Sequence, residues 1–77
     1  MNEIDSVISE TIQRAKDALE IMRMIEPFFH GDEEKMRAWY AGSNNLLGGL
    51  SPIKMVMMGK TDKLKKFIQN QLEENKK

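Results

Sequence analysis

Residues 39–59, WYAGSNNLLGGLSPIKMVMMG, decide how this chain is read, because they join the end of one helix, a punctuated loop and the capped start of another. Asn44-Asn45 follow closely on Gly42, and Gly48-Gly49 lie within the same loop. Such residues tolerate positive φ and permit a tight, irregular path. Ser51-Pro52 marks a helix start: the Ser51 hydroxyl is an N-cap acceptor, and Pro52 stands at the first helical position, where no N–H is needed. Leu50 and Met55 occupy the two positions of a hydrophobic staple, and Gly59 closes the short helix as its C′ residue. A loop punctuated this heavily holds one shape. That shape is either a tight corner or a recognition surface.

Upstream, Ile4, Val7, Ile8, Ile12, Ala15, Leu19, Met22 and Ile25 recur at a 3/4 spacing that predicts an amphipathic helix from Asn2 or Ser6 to Ile25, stopped by Pro27. Ile21 and Met24 lie off that stripe and widen it. From Asn2 this helix is ~36 Å long, more than the short helices after it can cover. Its overhang is either a homodimer interface built on Ile4, Ile8 and Ile12 or a surface helix with a frayed first turn.

Phe28 and Phe29 are expected in the core, and His30 at the surface or in a cap. Asp32 reads as the N-cap of a second helix, with Glu33 and Glu34 in its favourable first turn and Gly42 at its end. Met36, Trp39 and Tyr40 share a face, with Trp39 expected at the centre of the core and Tyr40 half-exposed. The third helix, Pro52 to about Met58, is rich in methionine, suited either to core filling or to docking an adaptable partner. Thr61 is expected to cap a fourth helix with Leu64, Phe67, Ile68 and Leu72 on one face. Lys63, Lys65 and Lys66 form either a solvated face or a docking patch, and the tail from Glu73 is expected to fray.

The expected fold is therefore all-α: one four-helix domain over 1–77, with a long N-terminal helix (1–27) laid across a three-helix unit (28–77). At 77 residues the core is small. The absence of cysteine excludes disulfides and thiolate chemistry, and a lone histidine builds no zinc site. No run approaches the ~20 apolar residues of a membrane span, and no signal-peptide pattern opens the chain, so a cytoplasmic location is expected. Formal net charge is zero, yet residues 1–35 carry nine acids against four bases, and residues 60–77 six lysines against three acids. Oppositely charged ends attract within a chain or between chains. A pI near 6.6 disfavours non-specific DNA binding. Nucleophile–base pairs, metal-ligand spacings and phosphate loops do not occur, so neither enzyme activity nor a cofactor is expected.

The order Phe29, Asp32, Trp39, Asn44-Asn45, Leu47-Gly48-Gly49, Ser51-Pro52, Gly59 and the Leu64–Leu72 helix resembles the toxin-binding domain of Xre/MbcA/ParS-type bacterial antitoxins. The resemblance covers a little over half the chain. It implies a non-catalytic module that neutralises an NAD-consuming RES-domain toxin by covering its active site, and that oligomerises. On this resemblance Gly48, Gly49 and Pro52 shape the loop, while Asn44, Asn45, Met55 and Lys63 contact the partner. About 28 residues precede Phe29, enough for one helix but not for the helix-turn-helix domain of longer family members, which puts operator binding in doubt. The family's glycine-bearing C-terminal end is also absent, which leaves its mode of contact open. The alternative is a self-assembling structural or regulatory helical dimer with no toxin partner.

Overall fold

Twenty-seven residues without glycine, with Glu3 and Asp5 placed where the helix dipole favours acids, form the first helix, α1 (Glu3–Phe29). The computed structural model describes residues 3–76, so the expected start at Asn2 lies outside the described residues. Then follow α2 (Glu33–Ala41), one 3₁₀ turn (Asn45–Leu47), α3 (Pro52–Met57) and α4 (Thr61–Lys76). No strand occurs among the described residues. The long α1 packs against the other helices, which makes the molecule 49 Å long and only 25 by 20 Å across.

Pro27 does not stop α1, contrary to expectation; it sits inside the last turn. There its missing N–H costs one hydrogen bond near the helix end, where the ladder is already running out. The stop comes two residues later. His30 (φ 51°) and Gly31 (φ 76°) turn left-handed, and the Gly31 N–H reaches back to the Glu26 carbonyl at 3.2 Å, a Schellman closure. His30 is thus an exposed terminating residue. At the other end of the chain, α4 is helical to Lys76. No glycine or proline interrupts that segment.

The core joins Ile21 and Ile25 of α1, Met36 of α2, Met55 and Val56 of α3, and Leu64 and Ile68 of α4. Burying each such side chain is worth roughly 1.5–3 kcal/mol. Two expectations are corrected here. Trp39 is half-buried at the edge of this cluster, as are Phe28 and Phe29, and the centre is aliphatic. The stripe that α1 buries is Asp17, Ile21 and Ile25, whereas Ile4, Ile8 and Ile12 stand 68, 51 and 51% exposed. Ile21 was assigned to the margin of the apolar face and is instead fully buried. The reason is geometric: α3 and α4 meet the side of α1 that carries Arg14 and Asp17, which bond to Val56 and Thr61.

Candidate functional site

The loop is closed on itself by hydrogen bonds through Asn44. The Asn44 side chain accepts the Leu46 N–H at 2.9 Å, and its carbonyl accepts the N–H groups of Leu47 and Gly49, each at 2.9 Å. The Asn44 N–H then closes the loop on the Leu50 carbonyl at 3.1 Å. This path requires φ of 70° at Gly48 and 86° at Gly49, a left-handed pair that side chains resist. Ser51 caps α3 as expected, accepting the Lys54 N–H at 3.1 Å, and Asp32 caps α2, accepting from Lys35 at 3.2 Å.

Beside this loop lies a cleft of about 290 Å³. Ile25, Phe28 and Phe29 of α1 line one wall, Trp39 the second, Asn44 and Leu46 the loop side, and Phe67, Ile68 and Gln71 of α4 the remainder. Phe29 and Trp39 meet at a tilted 54°, with centroids 6.5 Å apart. Leu46 stands at the opening, 72% exposed. The volume is at the lower limit of the roughly 300–1,000 Å³ of small-molecule sites. No lining side chain ionises. The cleft therefore offers aromatic contact and two amides, and no group to move a proton.

Behind it, a polar network ties α1 to α3 and α4. Asp17, only 7% exposed, accepts from Gln13 Nε2 and Thr61 Oγ1, each at 2.9 Å, and from Arg14 Nη1 at 3.2 Å. Arg14 also donates to the Val56 carbonyl at 3.2 Å. Burial pushes the Asp17 carboxyl up, but the Gln13 and Thr61 hydrogen bonds with the nearby Arg14 and Lys65 charges outweigh it, and the pKa is lowered below 3.8. Burial raises the Tyr40 pKa, and the Asp17 charge adds to this. At the margin, Lys65 and Glu20 form a 2.8 Å ion pair that, with other acids nearby, raises the lysine pKa against the opposing effect of burial. Thr61 was expected to cap α4. Its hydroxyl instead donates across the core to Asp17.

The structure divides the residues expected to contact a partner. Asn44 lies in the cleft wall, and Asn45 is exposed one residue on. Gly48 and Gly49 are exposed and shape the loop. Lys63 is exposed one turn before Phe67 on α4. Pro52 is fully buried, and Met55, expected as a contact, is 7% exposed and faces the core. In this segment the exposed methionines are Met57, the last residue of α3, and Met58, its C-cap. Leu46, Gln71 and the Asp17 network escaped sequence reasoning. The 17, 21, 25 line of i, i+4 residues was the available signal for the network, obscured by its leading aspartate.

Among the described residues no three His, Asp or Glu side chains gather as a metal-binding set, and no helix is long and apolar enough to cross a membrane. No family model, curated protein or solved structure shows a significant match to this chain.

Proposed function

We propose that this chain is a non-catalytic protein-binding module, antitoxin-like, whose aromatic cleft receives an apolar segment of a RES-type NAD-consuming toxin and so covers the toxin's active site. The observation that carries the reading is the cleft itself: four aromatic side chains and an exposed leucine beside a hydrogen-bonded loop, with no ionisable group among them. Rigid aromatic surface at a pocket is where interface binding energy concentrates. The cleft also falls within the segment from Phe29 to Leu72 that carries the antitoxin resemblance, apart from Ile25 and Phe28. The toxin's identity rests on the resemblance alone.

The test is to co-express the chain with a RES-domain protein and measure NAD consumption and complex formation. Trp39 is the only tryptophan of this chain, so beside a tryptophan-free toxin variant its emission reports cleft occupancy. Suppression of NAD consumption, a shift in Trp39 emission and loss of both with Leu46→Glu are expected. Undiminished binding by that variant would remove the cleft from the interface, and undiminished NAD consumption beside wild-type chain would remove the toxin. The alternative, a self-assembling dimer without a toxin partner, draws on a different surface, the exposed isoleucines of α1.

A further inference from the structure

At ~100° per residue, Ile4, Ile8, Ile12, Ala15, Leu19 and Met22 form a second stripe on α1, roughly 140° around the helix from the buried line of Asp17, Ile21, Ile25 and Phe28. Ile4, Ile8, Ile12 and Leu19 are all more than half exposed. The stripe runs ~27 Å along the axis. Its 4-to-15 and 8-to-19 repeats are eleven residues, a period close to that of a straight helix. At its C-terminal end it opens into a hollow of about 390 Å³ between α1 and α2, lined by the apolar Leu19, Met22 and Met36 and by two acids, Glu26 and Glu33, and two bases, Arg23 and Arg37.

We propose that a second copy of this chain packs antiparallel on this outer face, with the twofold axis between Ile12 and Ala15 and each first turn seated in the other copy's hollow. The stripe is complementary to its own reverse: Ile4 meets Met22, Ile8 meets Leu19, and Ile12 meets Ala15, at position sums of 26 to 27. Charge agrees with this arrangement. Asp5 and Arg23 are eighteen residues, five turns, apart and so lie on the same flank of the stripe. Across the axis each Asp5 falls within about one residue of the partner's Arg23, opposite in sign. Parallel pairing sets that flank against the other one, which carries the uncharged Val7, Thr11 and Ala18. Antiparallel pairing also covers Ile4, Ile8 and Ile12, which α3 and α4 leave exposed, and this suits a chain with so small a core of its own.

Sedimentation equilibrium of the full chain should give twice the 8.9 kDa monomer mass. Ile8→Glu and Leu19→Glu should each return it to monomer with unchanged helical circular dichroism, since both side chains are exposed. A wild-type monomer at 100 μM (~1 mg/ml), or folded variants that stay dimeric, would overturn the proposal. Because the chain has no cysteine, introduced cysteines report the register. Ile4→Cys with Met22→Cys should oxidise to covalent dimers, whereas Ile4→Cys alone should not, its two copies lying about 28 Å apart along the axis. Covalent dimers from the single variant would overturn the antiparallel arrangement. Toxin binding is read by Trp39, so either proposal can fail while the other stands.

Discussion

Two faces of α1 carry isoleucine along one unbroken helix, and their fates are opposite. Ile21 and Ile25 are the most completely buried residues of the helix, while Ile4, Ile8 and Ile12 lie open. The difference is one of face. On the side of Arg14 and Asp17, α3 and α4 take hold of α1 through Val56 and Thr61. Leu19, on the outer side, is 55% exposed although it lies beyond them. Burial on a long helix is therefore set by which face its neighbours meet, and that face need not be the most continuously apolar one. Here it begins with a charged residue whose needs the core meets in full: among the described residues no buried side-chain nitrogen or oxygen lacks a partner.

The largest effect that would sharpen this contrast is Ile21→Ala, expected to cost about 2–5 kcal/mol in urea unfolding through the cavity it leaves. Ile8→Ala, measured at concentrations that keep the chain monomeric, should stay within about 0.5 kcal/mol. Equal costs at the two positions would break the comparison. Next comes Asp17→Asn, expected to cost about 1–3 kcal/mol by leaving its donors imperfectly matched. Its pH dependence has a definite sign. The unfolded carboxyl titrates near 3.8 and the folded one lower, so its stabilisation is complete above 3.8 and is lost as pH falls through the folded value. Asp17→Asn should flatten that acid limb of the stability curve; an unchanged limb would show that Asp17 does not anchor the buried face.

Two positions outside α1 calibrate the scale. Gly49→Ala, with open space around the added carbon but a φ of 86°, should cost about 1–2 kcal/mol from backbone strain alone. Ser51→Ala, which removes the α3 cap, should cost about 1 kcal/mol. Either one exceeding Ile21→Ala would mean that local geometry, and not the buried face of α1, dominates stability.

Those last two positions belong to what the sequence by itself determined: the four helices, the caps at Asp32 and Ser51, the left-handed Gly48-Gly49 pair and the Gly59 stop all follow from energetics confined to a few neighbouring residues. The loop wall of the cleft was legible for the same reason. The tertiary structure alone decided which of two apolar stripes on α1 faces inward, that Trp39 lines a cleft at the core's edge, that Thr61 bonds Asp17 across the core, and that Pro27 rides inside a helix. Each of these depends on where a distant segment arrives. Periodicity can name the apolar faces of a helix, but only the neighbours that pack against it choose between them.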